Sequence, residues 1–398
     1  MPPARERTDK IIAPERQAEL FNLIGTTVGG KYTLERLLGV GGMGGVYAAR
    51  APDASTVAVK VLSVLDPSSR DRIAGRFARE ARAVTALDNP HIVTVLDAGS
   101  DDARPFIVME LLEGEDLGQR LHREGRVPLD DALHVAAQVL VALGAAHEAG
   151  IVHRDLKPDN VFLVKRGDDP AFCKLLDFGM SKFLPHREGQ TLALALTKKG
   201  MAVGTPYYMA PEQARALDDL DGRADLWALG AILFECLAGR PPFVGKTQEQ
   251  ILLTVCTTDA PDVRAMRPEV PSKVAKLIAR ALARDRQKRF ANAWEMLGAI
   301  VDAAPAEARV VPGHVTTTAP DVAPIAVSAS GPVAPVAPDR SGPVSTSVPS
   351  APISIATPVR ATPTKRKSSR LPAILVAISA LFLGVAVTLY VLATLRSR

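Results

Sequence analysis

Three glycines near the start of the chain, Gly39, Gly41 and Gly44, stand in the order G-x-G-x-x-G and are followed by Val46. Because glycine has no Cβ, a turn rich in glycine lets backbone amides approach the oxygens of a phosphate closely. The pattern predicts phosphate binding, but glycine triplets also occur by chance, so the neighbouring elements must support it.

Two β-strands are predicted to flank these glycines. Tyr32, Leu34 and Leu38 share one parity of a first strand, and Val57–Leu62 reads as a second. A dinucleotide-binding fold would instead need a helix directly after the glycines. The sequence therefore predicts that the glycines join two antiparallel strands.

A lysine on the second strand is a candidate partner for the phosphates. Lys60 shares a strand face with Ala58, and Val59 and Val61 on either side of it argue against an exposed edge position. Further on, Glu80 lies within the apolar stripe of a predicted helix, where an unpaired carboxylate is costly. We expect Glu80 to pair with Lys60; the alternative is a glutamate at the margin of the stripe. The stripe consists of Ile73, Phe77, Ala81 and Val84.

A second polar segment, His153–Asn160, follows a predicted amphipathic helix over residues 130–149. Asp177-Phe178-Gly179 begins 17 residues after Asn160. With these pieces in order, the chain resembles the protein kinases, and in particular the bacterial, eukaryotic-like Ser/Thr kinases with a C-terminal transmembrane helix. The other matching pieces are the loop Gly39–Val46, Val57-Ala58-Val59-Lys60, Glu80, Gly204-Thr205-Pro206, Ala210-Pro211-Glu212 and Asp225-Leu226-Trp227.

The resemblance implies a fold and an activity for residues 29–300. The fold is α+β and bilobal, with an antiparallel β N-lobe and a mainly α-helical C-lobe. The activity is transfer of the γ-phosphate of ATP to Ser or Thr hydroxyls of proteins, with Mg²⁺, or Mn²⁺ as an alternative ion. Lys157 before Pro158-Asp159-Asn160 is the Ser/Thr pattern. A pseudokinase scaffold that recruits partners is the alternative, since fold alone does not prove function.

The same resemblance assigns a role to each catalytic residue. Asp155 accepts or orients the proton of the substrate hydroxyl, and Lys157 reaches the γ-phosphate. Lys60 holds the α- and β-phosphates and is fixed by Glu80. Asn160 and Asp177 supply oxygen ligands for Mg²⁺. The nucleotide-binding set is Gly39, Val40, Gly41, Gly42, Met43, Gly44, Val46, Ala58, Lys60, Met109, Glu110, Leu112 and Leu163, with Val46 and Ala58 as the roof of an adenine slot and Leu163 as its floor.

Regulation and scaffolding follow from the resemblance as well. Arg154 resembles the arginine that pairs with a phosphate on the activation loop, which makes phosphorylation the expected switch. A membrane tether that concentrates the kinase domains would favour phosphorylation in trans. Thr197 is the first candidate site and Thr191 the second. Asp225 is expected to hydrogen-bond the backbone of the catalytic loop. Glu212 is expected to pair with Arg289.

Charge and cysteine content argue against a nucleic-acid-binding protein, a disulfide-linked protein and a zinc protein with four thiolate ligands. The net charge of +5 arises entirely in residues 301–398, which hold nine basic and four acidic side chains. A general polyanion-binding surface is not supported, so we expect no nucleic-acid partner. Three widely spaced cysteines exclude a disulfide framework and a four-thiolate zinc site.

The segments outside the kinase-like region are predicted from composition. Residues 1–28 read as a flexible lead-in, and residues 301–364, rich in Pro, Ala, Ser and Thr, as a disordered linker. The linker is a spacer or, alternatively, a ligand for proline-binding modules. A basic cluster over 365–370 precedes 25 uncharged residues, 371–395, long enough for one transmembrane helix in a lipid bilayer. A short tail, 396–398, follows, and we expect no extracytoplasmic domain after it. The basic flank places the kinase-like domain in the cytoplasm, at a single-pass position in the cell (inner) membrane.

Overall fold

The structure is a computed structural model that describes residues 14–41, 44–62, 87–101, 104–166, 169–178, 206–217 and 219–304, without the side chains of 14–17 and 170. These residues form an antiparallel sheet followed by a mainly helical region, so the predicted α+β class is confirmed. We refer to residues 14–110 as the N-lobe and residues 114–304 as the C-lobe.

The N-lobe sheet has the strand order β1-β2-β3-β4-β6-β5 with antiparallel neighbours. Strand β4 lies inside the sheet, and its Lys60 is only 9% exposed. The predicted interior position of Lys60 is therefore confirmed. The strands are β1 (Thr27–Val28), β2 (Tyr32–Gly41), β3 (Gly44–Arg50), β4 (Thr56–Leu62), β5 (Val95–Asp101) and β6 (Arg104–Glu110).

The predicted alternation along β2 holds only for its first half. Tyr32 and Leu34 are buried, but Leu38 is 38% exposed. The register against β3 shifts between Leu34 and Arg36 and again between Leu37 and Gly39. Because each bulge inserts a residue and reverses the facing of those beyond it, a strict period of two could not place Leu38 correctly.

The predicted flexible lead-in, residues 1–28, is ordered in its second part. Helix α1 (Pro14–Phe21) precedes β1, and Leu20 and Val28 are buried. The amide of Gly25 donates to the carbonyl of Leu34 at 2.7 Å, which fastens the segment to β2. The prediction rested on polar composition and prolines, and it missed that these few apolar residues cover one face of the sheet.

The C-lobe is built around two long apolar helices. The predicted helix over 130–149 is present as α3, and α5 is buried along almost its whole length, as expected for a central helix. Helix α3 is long and apolar enough to cross a membrane, but most of its apolar stretch is buried within the C-lobe. The helices are α2 (Leu117–Glu124), α3 (Leu129–Glu148), α4 (Pro211–Ala214), α5 (Arg223–Ala238), α6 (Gln248–Thr257), α7 (Ser272–Ala281) and α8 (Ala293–Ala303).

A small sheet lies where the lobes meet. It has the order β7-β8-β9, with β7 (Gly114–Asp116), β8 (Val161–Arg166) and β9 (Asp169–Leu175). Leu175 at the end of β9 forms a parallel bridge with Ile92. The β8–β9 hairpin therefore contacts the N-lobe directly, in addition to the covalent connection through residues 111–113.

The predicted C-terminal segments lie almost entirely beyond the described residues. Helix α8 runs to Ala303, so the linker does not begin at residue 301 as predicted. The rest of the linker, the basic cluster 365–370, the span 371–395 and the tail 396–398 are outside the described residues.

Candidate active site

The backbone of the segment His153–Asn160 is held by one buried carboxylate. Asp225, in the first turn of α5, accepts hydrogen bonds from the amides of His153 and Arg154, each at 2.8 Å. Its Oδ2 also accepts from Nε2 of His147 at 2.8 Å. Arg154 has a φ of +67°, a conformation that a non-glycine residue adopts only when its surroundings impose it. The predicted contact of Asp225 with this loop is confirmed.

The environment of Asp225 keeps this carboxyl ionised. Complete burial alone would raise its pKa, but the hydrogen bond from His147, the charges of the His147 and His153 rings and the amide of Arg154 outweigh burial. The pKa of Asp225 is therefore below its usual range.

Asp155, Lys157 and Asn160 form one connected group. Nζ of Lys157 lies 2.6 Å from Oδ2 of Asp155, and Nδ2 of Asn160 donates to the carbonyl of Asp155 at 2.7 Å. Burial opposes the charge on Lys157, but the Asp155 carboxylate outweighs it and raises the pKa of Lys157. The pair therefore places a charged ammonium beside a carboxylate that is 36% exposed and open to a substrate hydroxyl.

Asp177 joins this group from the end of β9. The amide of Leu176 donates to the carbonyl of Asn160 at 2.9 Å, and Nε2 of His153 donates to the carbonyl of Leu176 at 2.8 Å. The rings of His153 and Phe178 pack with their centroids 4.8 Å apart. These contacts place Leu176, the residue before Asp177, against Asn160, so the two predicted metal ligands lie in the same part of the site.

Lys60 reaches Asp177 from the other lobe. Nζ of Lys60 lies 2.6 Å from Oδ2 of Asp177. Burial would raise the pKa of Asp177, but Lys60 first and Lys157 and His153 after it lower the pKa. The predicted partner of Lys60, Glu80, lies outside the described residues, so that pairing stays a prediction. An ionised Asp177 beside the amide of Asn160 supplies the oxygen ligands that Mg²⁺ prefers, so the residues present fit the ion.

The glycine-rich turn is a tight β-hairpin, as predicted. Gly39 faces Val46 and Gly41 faces Gly44 across the β2–β3 ladder. Gly44 has a φ of +149°, and a Cβ there would stand 2.0 Å from the carbonyl oxygen of Val61. Only glycine fits at this position. Val40 lies in the same hairpin, whereas Gly42 and Met43 lie outside the described residues.

An apolar cluster lies beside the hairpin, where the adenine slot is predicted. Val46, Ala58, Met109 and Leu112 belong to one hydrophobic cluster beneath the N-lobe sheet. Leu163 packs instead into the core of the C-lobe, where a floor for the slot is expected. An apolar lining suits a flat purine, so the residues present also fit the adenine of ATP.

Glu110, predicted to offer backbone groups to this slot, has a contact that the prediction missed. Its amide donates to the carbonyl of Thr94 at 3.0 Å, so of its backbone groups the carbonyl is the one left for a purine. Its carboxylate lies 2.6 Å from Nζ of Lys174. The sequence places Lys174 near the site, because it stands three residues before Asp177, but nothing in the sequence indicates Glu110 as its partner.

Arg154 and its neighbours frame the region where a phosphorylated loop is expected. Nε of Arg154 is buried and has no hydrogen-bond partner among the described residues. Its carbonyl accepts from Nε2 of Gln213 at 2.8 Å. Thr191 and Thr197 lie outside the described residues, so their roles stay predictions.

The predicted pair of Glu212 and Arg289 is confirmed. Both guanidinium NH₂ groups of Arg289 reach the carboxylate, at 2.6 and 2.8 Å, and both residues are buried. The guanidinium also lies over the ring of Trp227, 4.8 Å from its centroid. This pair ties the segment after α7 to helix α4.

Comparison with known proteins agrees with this arrangement. The protein kinase domain family matches residues 32–298. Serine/threonine-protein kinase pkn3 of Myxococcus xanthus is 39% identical over 283 residues, which are 70% of this chain and 51% of that protein. Serine/threonine-protein kinase PrkC of Bacillus subtilis is 34% identical over 69% of this chain and 40% of that protein. The chain thus spans about half, or less, of the length of these relatives.

Solved structures give the same result for the fold. The PknI kinase domain of Mycobacterium tuberculosis is 31% identical, with a TM-score of 0.54, and the match covers 70% of this chain and 98% of that one. A crystal structure of Rad53 in complex with AMP-PNP is 27% identical, with a TM-score of 0.55, over 67% of this chain and 64% of that one. From its site geometry, its family match and these relatives, the chain belongs to the protein kinase family.

Proposed function

We propose that this protein transfers the γ-phosphoryl group of ATP to serine and threonine hydroxyls of other proteins. The single observation that carries the proposal is the connected group formed by Asp155, Lys157, Asn160, Asp177 and Lys60. Lys60 contacts Asp177 and Lys157 contacts Asp155, each at 2.6 Å, and Asn160 donates to the carbonyl of Asp155 at 2.7 Å. The amide of Leu176, next to Asp177, joins the two parts by donating to the carbonyl of Asn160 at 2.9 Å, and Leu176 also packs against the apolar cluster of the N-lobe. The curated relatives are named serine/threonine-protein kinases, which favours these hydroxyls over tyrosine.

The proposed role of each residue follows from the position of its charge in the site. Mg²⁺ held by Asp177 and Asn160 would neutralise charge on the phosphates, and Lys60, on the N-lobe side, would bind phosphate oxygens. The half-exposed carboxylate of Asp155 can accept the proton of an incoming hydroxyl, and Lys157 beside it offers a positive charge to the transferred group. The pseudokinase alternative is not favoured, because every described residue of the catalytic set is present and in contact.

The test uses the purified full-length chain with Mg²⁺ and γ-labelled ATP, beside Asp155→Asn. The matched control is Asp159→Asn, an exposed carboxylate four residues further on in the same loop. We expect label on Ser or Thr in the parent and the control, and a loss of at least about 100-fold in Asp155→Asn. Equal labelling of all three proteins would refute the assignment of Asp155.

We propose further that phosphorylation of Thr197, or of Thr191, switches the kinase on by pairing with Arg154. The buried Nε of Arg154 without a partner among the described residues supports this proposal. A new phosphate can form charge-assisted hydrogen bonds with such a guanidinium and order the loop that carries it. Mass spectrometry after mixing active protein with Asp155→Asn should find phosphate on the inactive protein, which would show phosphorylation in trans. Phosphate confined to the active copy would contradict it.

We also propose a tether through residues 371–395 to the cell membrane, with the kinase domain in the cytoplasm. Support comes from the uncharged stretch of 25 residues and the basic cluster before it. A flexible linker over residues 305–364, which is 60 residues, reaches roughly 40–50 Å and would concentrate kinase domains near the bilayer. Deleting residues 371–398 should move the protein to the soluble fraction and lower loop phosphorylation in cells at equal expression. Unchanged fractionation and phosphorylation would contradict the tether.

A further inference from the structure

The outer face of the glycine-rich hairpin carries a contact that none of the catalytic roles uses. Successive residues of a strand face opposite ways, so Val46 packs against the apolar cluster beneath the sheet and Tyr47 points to the other side of the sheet. Tyr47 is completely buried there. Its hydroxyl donates to the carbonyl of Leu20 in helix α1 at 2.8 Å.

The tyrosine ring also covers Gly45, a glycine of the hairpin outside the G-x-G-x-x-G set. A Cβ at Gly45 would stand 2.8 Å from Oη and 2.9 Å from Cε2 of Tyr47. Such separations are closer than van der Waals contact. The ring of Tyr47 can therefore occupy this position only because residue 45 is a glycine. The hydroxyl end of Tyr47 therefore lies against both Gly45 of the hairpin and the carbonyl of Leu20 in α1.

Helix α1 is itself fixed to the sheet. Leu20 is 2% exposed. The turn after the helix makes two backbone hydrogen bonds with β2: Gly25 donates to Leu34, and Leu34 donates to Thr26 at 2.9 Å. Helix α1 precedes residue 32, where the match to the protein kinase family begins. Helix α1 therefore lies outside the matched range, and the Tyr47 hydroxyl joins it to the hairpin.

We propose that Tyr47 is a positioning residue that holds the phosphate-binding hairpin through its hydrogen bond to Leu20, so that helix α1 sets the affinity for ATP. The inference rests on the proposed function of the hairpin as the phosphate-binding element. Burial, and after it the nearby Glu19, raises the pKa of Tyr47 to about 12, so its hydroxyl remains a donor at neutral pH.

The first variant removes the hydroxyl alone. Tyr47→Phe removes the hydroxyl that joins the hairpin to α1, while the carbonyl of Leu20 keeps the amide of Leu23 as a donor at 3.3 Å. We expect KM for ATP to rise about fivefold, equivalent to about 1 kcal/mol, with kcat changed less than twofold, because Asp155 and Asp177 are not touched. The matched control is Tyr32→Phe, which removes a hydroxyl bonded to Asp97 at 2.9 Å in the same sheet but away from the hairpin turn.

A second measurement does not depend on catalysis. Calorimetric titration of MgATP into the full-length Asp155→Asn protein, with and without Tyr47→Phe, should show the same fivefold rise in Kd. Removing residues 1–21 should raise Kd by a similar factor in the Tyr47 background and produce no further rise with Tyr47→Phe. Thermal melting of each variant confirms that the protein is folded during the titration.

Several results would overturn the proposal. One is an equal loss of thermal stability in Tyr47→Phe and Tyr32→Phe with no change in Kd or KM for ATP, which would make Tyr47 purely structural. Another is a truncation whose effect on Kd multiplies with that of Tyr47→Phe, which would show that α1 and the hydroxyl act independently. If labelling fails while MgATP still binds with the expected differences, the proposed function is refuted and the positioning role of Tyr47 stands.

Discussion

Replacing Asp225 by asparagine should both destabilise the protein and disable its catalytic loop. The carboxylate accepts three hydrogen bonds, through Oδ2 from His147 and the amide of His153 and through Oδ1 from the amide of Arg154. An asparagine amide offers only one acceptor oxygen, so at least one buried donor must face its NH₂ group. An unsatisfied buried donor costs about 1–3 kcal/mol, and loss of the charge weakens the remaining bonds. We expect about 3–5 kcal/mol in total.

The effect on rate follows from the strain at Arg154. With an anchoring hydrogen bond lost, the φ of +67° is no longer imposed and the loop carrying Asp155 can relax. Displacing a catalytic group by about 1 Å can lower a rate about 100-fold, and we expect a fall in kcat of that order.

The assay combines urea unfolding, followed by circular dichroism, with steady-state phosphotransfer on the same preparations. Asp262→Asn is the matched control, because Asp262 accepts a single exposed hydrogen bond, from the amide of Arg264 at 2.9 Å. Asparagine replaces aspartate well at such a cap, so stability and rate should stay at parent values. A loss of stability below about 1 kcal/mol in Asp225→Asn, together with an unchanged kcat, would refute the reasoning.

Three further predictions concern stability. Arg289→Met leaves a buried carboxylate without its partner and should cost about 3–5 kcal/mol in urea unfolding; a cost like that of an exposed ion pair, below about 1 kcal/mol, would contradict it. Gly298→Ala, in open space on α8, should raise the free energy of unfolding by about 0.5–1 kcal/mol. Gly144→Ala should lower it, because its Cβ would stand 2.5 Å from the ring of Trp294. A gain in stability at both sites would show that the Trp294 ring can move aside at little cost. Because the pKa of Asp225 is lowered in the folded protein, its ionised carboxylate stabilises the fold fully above about pH 4, and this stabilisation is lost as the pH falls through the folded pKa. The stability of Asp225→Asn should therefore fall less steeply with acid than that of the parent. Identical dependence of stability on pH below about 4 in both proteins would contradict the lowered pKa.

The sequence was sufficient to predict the strands, the helices and the motifs that are recognised by the order of their residues. Strand alternation predicted the interior position of Lys60, and the resemblance implied that Asp155, Asn160 and Asp177 share one site. The contact of Lys60 with Asp177 was not predicted. Contacts between segments distant in sequence were not accessible unless the resemblance supplied them. The hydroxyl of Tyr47 meets a carbonyl 27 positions earlier, and nothing in the periodicity of either segment indicates that meeting.

Two local features were missed for a different physical reason. The bulges in β2 change the facing of Leu38 without leaving a trace in composition. The ion pair of Glu110 and Lys174 depends on how closely β9 approaches the N-lobe, which is a property of packing between elements. Sequence patterns report the periodicity of one element at a time, so distances between elements have to come from the structure.

The bridge between Ile92 and Leu175 limits how the two lobes can move. The amide of Val93 donates to the carbonyl of Leu175 at 3.0 Å, and the amide of Leu175 donates to the carbonyl of His91 at 2.8 Å. This bridge and the chain crossing at residues 111–113 join the backbones of the two lobes, and the ion pairs Lys60–Asp177 and Glu110–Lys174 join their side chains. Rotation about the line through the two backbone attachments moves the residues beside that line least and the parts of the N-lobe farthest from it most, so a wide opening of the cleft has to separate Lys60 from Asp177.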